Sequence, residues 1–155
     1  MKIIVVSDTH GRSEVLTMLE KKHSDATFFI HCGDVEDNPI DFPKWYFVRG
    51  NNDFFGGFVE ERIILAGDHR IYVCHSHRCP YYSRKETLLK EAFKRECDIV
   101  LYGHTHCSDI TEKNGILLVN PGSAWHTRDG NEPSYAILTL EGLSRKVELV
   151  FESEW

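Results

Sequence analysis

No stretch of this sequence is apolar for long enough to cross a membrane or to form the core of a signal peptide. The N-terminus reads Met-Lys-Ile-Ile-Val-Val-Ser, and its apolar run of four ends at Ser7 and Asp8. Positive charge is not in excess either: 18 basic side chains stand against 24 acidic ones, a net charge of −6. That balance argues against a broad basic face for gripping nucleic acid, though not against a small anion held at one local site. The five cysteines (Cys32, Cys74, Cys79, Cys97, Cys107) are odd in number and contain no Cys-x-x-Cys pair. Neither a disulfide framework nor a cysteine zinc site is expected, and reduced thiols in a cytoplasm fit better. Repeats, low-complexity tracts and linkers are also missing, since the turn-rich stretches at 38–43, 54–57 and 128–133 are all short. What remains is one cytoplasmic domain over residues 1–155 with no membrane partner. It is large enough to bury about two thirds of its unfolded surface.

Between the turns lie short β-branched or aromatic runs. Those at 3–6, 27–30, 45–48, 62–65, 70–74, 99–102, 116–119, 135–140 and 146–151 read as strands. The last alternates Val147, Leu149 and Phe151 with Glu148, Val150 and Glu152, as a half-buried antiparallel strand does. Two amphipathic helices are expected. Val15, Leu16, Met18 and Leu19 form one stripe after Ser13; Leu88, Leu89, Ala92 and Phe93 form the other, opened by the capping-box pattern Ser83-Arg84-Lys85-Glu86. The order of elements suggests an α/β domain with two mixed sheets face to face and helices outside.

Histidine is what the sequence has in quantity, with nine in 155 residues. Most fall at strand ends: Ser7-Asp8-Thr9-His10-Gly11, His31-Cys32-Gly33-Asp34, Cys74-His75-Ser76-His77 and Tyr102-Gly103-His104-Thr105-His106, with Arg49-Gly50-Asn51-Asn52-Asp53 ending another strand. Side chains just past the carboxyl ends of neighbouring parallel strands converge on one crevice. Carboxylate, imidazole and amide oxygen together are the ligand set of a borderline divalent ion such as Mn²⁺, Fe²⁺ or Zn²⁺. Pairs one residue apart, Asp8/His10 and His104/His106, point the same way on extended backbone. Any one motif alone reads equally well as a turn; five in this order do not.

With these motifs, and with Asn120-Pro121-Gly122-Ser123 after them, the sequence resembles the calcineurin-like metallophosphoesterase superfamily, in particular its small YfcE-type phosphodiesterases. The resemblance runs from residue 8 to 123 and implies a four-layer α-β-β-α sandwich of two mixed sheets. It implies that Asp8, His10, Asp34 and His106 hold one metal, and that Asp34 bridges to a second completed by Asn51, His75 and His104. The expected cofactor is two divalent ions, Mn²⁺ foremost, with Fe²⁺, Zn²⁺, Ni²⁺ or Mg²⁺ as alternatives. The implied reaction is hydrolysis of a phosphodiester by in-line attack of a metal-bridging hydroxide, with no covalent enzyme intermediate.

Two positions depart from the family pattern. Asn52 stands where the wider superfamily has a histidine and this branch often a cysteine, and an amide cannot donate a proton as an acid. Ser76 replaces a glycine between the two histidines and narrows the backbone freedom there. Asp34, Asn51, Asn52 and His77 are therefore the expected catalytic set, with Asn52, His77 and Arg12 as substrate contacts. For His77 a turn position is the competing reading, and for Arg12 a solvated surface position. Asp53 is expected to orient a ligand imidazole or to cap a turn. Phe54, Phe55, Tyr81 and Tyr82 are expected to pack in the core or against a second subunit rather than to stack on substrate. His23 and His69 are expected at the surface, and His31 and His126 near the site without binding metal. Ser123 reads as a turn residue and Asn120 as a neighbour of the site. The competing functions are a metal-binding interaction scaffold, as a retromer subunit of this fold is, a phosphomonoesterase, and a nuclease limited to nucleotides or short oligonucleotides. Specificity is expected from short loops around Phe54 and Tyr81, or from a second copy in a homo-oligomer.

Overall fold

Each of the nine apolar runs forms a strand in the computed structural model, which describes residues 1–155. The order is β1 (Lys2–Val6), α1 (Glu14–Lys22), β2 (Phe28–His31), β3 (Trp45–Phe47), β4 (Glu61–Ala66), β5 (His69–Cys74), α2 (Arg84–Lys94), β6 (Ile99–Leu101), β7 (Ser108–Lys113), β8 (Ile116–Pro121), β9 (Ser134–Glu141) and β10 (Ser144–Phe151). Strand β7 has no counterpart in the sequence reading. Its residues Ser-Asp-Ile-Thr-Glu-Lys hold a single large apolar side chain, because β7 is an edge strand with little to bury. Asn114 and Gly115, both left-handed (φ 53° and 75°), turn it back onto β8. An Asn-Gly pair before an apolar run is a hairpin signal, so this strand was within reach of sequence reasoning.

The strands form two five-stranded mixed sheets, ordered β10-β9-β1-β2-β3 and β4-β5-β6-β8-β7. Strands β1, β2 and β3 run parallel in the first, as do β5, β6 and β8 in the second. Alternation along the central strands builds the layers. Ile3 and Val5 face the second sheet and meet Ile71, Val73, Ile99 and Leu101. Ile4 and Val6 face the other way, onto Val15, Leu16 and Leu19 of α1. Val100 and Leu118 of the second sheet likewise meet Leu88 and Ala92 of α2. Central strands covered on both faces read as unbroken apolar runs, and the result is the α-β-β-α layering the sequence implied.

Three local expectations fail, the Ser83 capping box and the surface positions of His23 and His69, and the core half of a fourth falls with them. The capping box at Ser83 does not form: Ser83 makes no side-chain cap, and its carbonyl accepts from Thr87 Oγ1 after a short 3₁₀ turn at Tyr81–Ser83. His23 and His69 are buried (5% and 3% exposed) because each finds polar partners inside. His23 Nε2 lies 2.8 Å from the Tyr135 hydroxyl; His69 bridges Asp98 Oδ2 (2.6 Å) and the Gly142 carbonyl (2.9 Å). Phe54, Tyr81 and Tyr82 are 87%, 80% and 96% exposed, and Phe55 is half exposed, so none of the four packs in the core. The five cysteines are unpaired, and no helix is long and apolar enough to cross a membrane.

Candidate metal centre

The carboxyl ends of β1, β2, β3, β5 and β6 open onto one crevice, and backbone bonds lock their loops together. Asp8 N and His10 N donate to the carbonyls of Gly33 and Asp34 (both 3.0 Å), and Gly103 N donates to that of His75 (3.3 Å). Seven non-glycine residues here have left-handed backbone: Asp8, His10, Asp34, Glu36, Ser76, His104 and His106, at φ from 45° to 75°. L-residues adopt that region at a cost, and clusters of such residues occur where side-chain direction matters. The paired residues of Asp8-x-His10 and His104-x-His106 thus converge through a kinked loop, not through the extended backbone expected for them. Ser76, where the related pattern has glycine, sits at φ 75° with its hydroxyl donating to the Gly103 carbonyl (3.1 Å).

Several polar side chains act on these loops rather than on ligands. Asp53 does not orient an imidazole. Its carboxylate accepts from Asp34 N (2.8 Å), Gly50 N (2.7 Å) and Glu36 N (2.8 Å), which ties the loop after β2 to that after β3. Asn120 Nδ2 donates to the Gly103 carbonyl (3.2 Å) and Thr105 Oγ1 (3.0 Å). Ser123 is a turn residue whose hydroxyl donates to the Asp8 carbonyl (2.8 Å) and accepts from Trp125 N and His126 N.

The imidazoles are oriented from behind. His75 Nδ1 faces the Cys32 carbonyl (2.7 Å) and His106 Nδ1 the His126 carbonyl (2.6 Å). A carbonyl only accepts, so Nδ1 carries the proton in both and, in the neutral ring, Nε2 presents a lone pair to the crevice. His10 Nδ1 lies 2.5 Å from Glu36 Oε1 in the same arrangement. Glu36 was missed from sequence, although it follows Asp34 at the spacing by which His10 follows Asp8. The two carbonyl partners carry no sequence signal at all.

In front of these nitrogens the charges and lone pairs crowd. His10 Nε2 and His106 Nε2 are 3.2 Å apart. Asp8 Oδ1 lies 3.2 Å from His106 Nε2 and 3.9 Å from those of His10 and His75. Asp34 Oδ2 lies 3.8 Å from His10 Nε2 and 3.4 Å from His75 Nε2. Asn51 Oδ1 is 3.1 Å from His75 Nε2. Asp8 Oδ1 is buried without a hydrogen-bond donor, while its Oδ2 accepts from Ser7 Oγ and His104 N. A buried carboxylate oxygen facing inward-pointing imidazole nitrogens fits a site for cations. Two such groups can be drawn, Asp8-His10-His106 and Asp8-Asp34-His75.

Burial alone would raise the Asp8 and Asp34 carboxyls, but with the facing imidazoles protonated, His106 and His75 at Asp8 and His75 with the Asn52 donors at Asp34 outweigh it and hold both below the usual carboxylate range. Burial likewise opposes protonation of His75, and Asp34 with Asp8 reverses it. His104, with no carboxylate so close, is pushed down to about 4 by burial first and the charge of His75 second.

The remaining expected site residues divide. Asn52 is at the centre, donating its backbone N to Asp34 Oδ1 (2.8 Å) and its Nδ2 to Asp34 Oδ2 (2.9 Å). The His77 ring lies 5.4 Å from that of His75 and 6.2 Å from that of His104, tilted to both, and its buried Nδ1 has no partner. Arg12 is tied to the fold: its guanidinium donates to Glu14, Glu152 and the Ala124 carbonyl, and the two carboxylates neutralise its charge. His126 contributes only its carbonyl to His106, and His31 supports the site from the interior.

His31 is fully buried between Thr9 Oγ1 (3.0 Å) and Gly33 N (3.1 Å), and burial lowers its pKa to about 3. The unfolded value is about 6.5, so the stability it gives is complete above that pH and is lost as pH falls toward 3. The loss is at most about 1.4 kcal/mol per pH unit. Urea denaturation should show wild type losing on the order of 1–2 kcal/mol more than His31→Gln between pH 6.5 and 5. Equal losses would contradict the buried neutral imidazole.

Residues 1–143 match the calcineurin-like phosphoesterase superfamily domain. A probable metallophosphoesterase of Bacillus subtilis, YsnB, is 36% identical over 147 residues, covering 91% of this chain and 85% of that protein. A predicted phosphoesterase from Streptococcus pneumoniae superposes with a TM-score of 0.92 at 29% identity, over 99% of this chain and 90% of that one. Two more distant solved structures share the fold. An archaeal phosphodiesterase has a TM-score of 0.76 at 24% identity (97% and 100% covered), and zinc-complexed Vps29 from Entamoeba histolytica one of 0.76 at 22% (97% and 98%).

Proposed function

Because the chain belongs to the calcineurin-like phosphoesterase superfamily, we propose that it is a dinuclear metal-dependent phosphodiesterase, its one domain spanning residues 1–155. The observation that carries the reading is the donor-less, buried Asp8 Oδ1 set among inward-facing imidazoles. In this reading Asp8, His10, Asp34 and His106 hold one cation, and Asp34, Asn51, His75 and His104 hold the other. Mn²⁺ suits the mixed carboxylate, imidazole and amide set, with Fe²⁺, Zn²⁺, Ni²⁺ and Mg²⁺ as alternatives. When bound, such ions supply a nucleophile at neutral pH and neutralise phosphoryl charge.

The chain's own residues then fix and aim. Carbonyls of Cys32 and His126 hold the tautomers of His75 and His106, and Glu36 that of His10. Asn52 clamps both oxygens of Asp34. It cannot give a proton to a leaving oxygen, so substrates whose alcohol leaves readily as an anion are favoured. That points to diesters with good leaving groups over alkyl monoesters. The substrate is a small phosphoester, the unpaired cysteines fit a reducing cytoplasm, and the exposed Phe54 and Phe55 leave a homo-oligomer as a contact for the site's rim.

The likeness to Vps29 supports a second reading, a metal-binding interaction scaffold. One panel separates the alternatives. The Mn²⁺-loaded protein is expected to turn over bis(p-nitrophenyl) phosphate at least about tenfold faster than diphenyl phosphate, whose more basic phenolate leaves less readily and would need the missing general acid. Comparable turnover of the two would overturn the inference from Asn52, faster turnover of p-nitrophenyl phosphate would favour the phosphomonoesterase, and no turnover with metal bound would favour the scaffold.

A further inference from the structure

We propose that the cavity beside His104 is a subsite for a nucleotide-like arm of the substrate, one that carries a planar ring and a second phosphate. This rests on the phosphodiesterase reading and narrows its substrate class. The cavity measures about 600 Å³ and opens between the start of α2 and the loop that joins β6 to β7. That size lies within the range of small-molecule sites. It shares His104 with the metal-ligand cluster, so a molecule whose scissile phosphate sits among the ligands continues into it without a break.

Its charge is opposite to that of the chain. Arg84, Lys85 and Arg128 line it against a single carboxylate, Asp109, within a protein of net charge −6. Lys85 is neutralised by Asp109 (2.8 Å) and capped by Thr111 Oγ1 (2.9 Å). The other two cations pair with no carboxylate. Arg84 is anchored through Nη1 on the Ser76 carbonyl and hydroxyl, which leaves its remaining donors for the cavity. The backbone N of Arg128 donates to the His106 carbonyl (2.9 Å), so its side chain springs from a residue fixed to the ligand loop while its guanidinium stays unbonded. Arg12, by contrast, spends its donors on protein partners. One guanidinium without protein acceptors and a second with donors to spare, neither paired with a carboxylate, suit a phosphate in this cavity.

Tyr81 supplies the apolar part. It lies on the cavity wall, 80% exposed, and meets Tyr82 at right angles (5.0 Å, 89°), a contact that can cover at most one face of its ring. An exposed aromatic face beside phosphate-binding arginines is the combination that holds a base together with its phosphate. The cavity at Phe28, Tyr46, Ile63 and Leu65 lacks any such convergence of cations. The reaction itself needs only water. The P–O bond to water's oxygen forms, the ester P–O bond breaks, and the oxygen that leaves as an anion is protonated in solvent by the proton the attacking water gave up, giving a phosphomonoester and an alcohol.

The test uses the Mn²⁺-loaded full chain with two p-nitrophenyl diesters: 5′-phosphothymidine 3′-(p-nitrophenyl phosphate), which carries a base and a second phosphate, and bis(p-nitrophenyl) phosphate, which has neither. Alongside, AMP is titrated into the same protein by calorimetry. Arg128→Glu is expected to raise KM for the nucleotide ester and to weaken AMP binding by about tenfold or more, as loss of a charge-assisted bond does. Turnover of bis(p-nitrophenyl) phosphate should change less than about twofold, and Tyr81→Ala should repeat the pattern more weakly. AMP that does not bind, or binds Arg128→Glu as well as wild type, overturns the subsite. Equal effects on both substrates overturn it too. If neither substrate turns over, the phosphodiesterase reading has failed, and the AMP titration still decides whether the cavity holds a nucleotide.

Discussion

Replacing Gly50 with alanine is expected to cost about 3 kcal/mol of stability, near the upper end for overpacking, and to release the metal with it. A Cβ built at Gly50 lies 2.1 Å from Asp34 Oδ1 and 2.3 Å from Asp34 N. Neither atom is free to retreat. The nitrogen donates to Asp53 Oδ2 (2.8 Å), and Oδ1 accepts from Asn52 N (2.8 Å). Gly50 is not in the left-handed region, so the cost is steric rather than a matter of backbone freedom. The intruding methyl displaces the carboxylate proposed to bridge the two ions, and stability and metal affinity should therefore fall together. Gly56→Ala is the control, for a Cβ there meets nothing within 4 Å. It should stay within about 0.5 kcal/mol of wild type in urea denaturation. A Gly50→Ala protein as stable as the control, with undiminished Mn²⁺ affinity, would show that the β3 loop does not press on Asp34.

Asp34→Asn should lower turnover of bis(p-nitrophenyl) phosphate by more than about a hundredfold. Changes to groups that merely support a metal ligand cost 10- to 100-fold, and a direct carboxylate ligand should cost more. Asp34 Oδ2 stands within 3.8 Å of His10 Nε2 and 3.4 Å of His75 Nε2, between the two proposed ion positions. An amide keeps the shape but removes the charge. Its NH₂ end also faces one of the two donors with which Asn52 holds Asp34. Circular dichroism should find the fold intact, because the Asp53 bonds that organise this loop run to backbone nitrogens. Turnover within about tenfold of wild type would remove Asp34 from the bridging position.

Much of the fold was legible because the central strands are covered on both faces. Burial on both sides demands an unbroken apolar run, and residues 3–6 or 99–101 could hardly read otherwise. β7 was illegible by the same logic, since an edge strand exposing Ile110, Glu112 and Lys113 and fully burying none of its residues needs no apolar pattern. The ligand motifs were legible because metal-binding chemistry restricts residue type. Their supports were not, since the Cys32 and His126 carbonyls act through backbone that every residue has. Asp53 stayed between its two readings, imidazole partner and turn cap, for a related reason. A carboxylate after a Gly-Asn motif can as well accept from backbone amides as from an imidazole, and only the folded loops show that three amides reach it. His23 and His69 were misplaced because a partner far along the chain, Tyr135 or Gly142, makes burial affordable.

The account rests on the buried Asp8 Oδ1 and its ring of imidazoles holding two cations. The most direct measurement strips the protein with chelator, then titrates Mn²⁺ back while counting bound ions and following hydrolysis of bis(p-nitrophenyl) phosphate. The account predicts an inactive stripped protein, about two ions bound per chain at saturation, and activity that returns as both are filled. Full activity in the stripped protein, or no more than one ion bound per chain at saturating Mn²⁺, would contradict it.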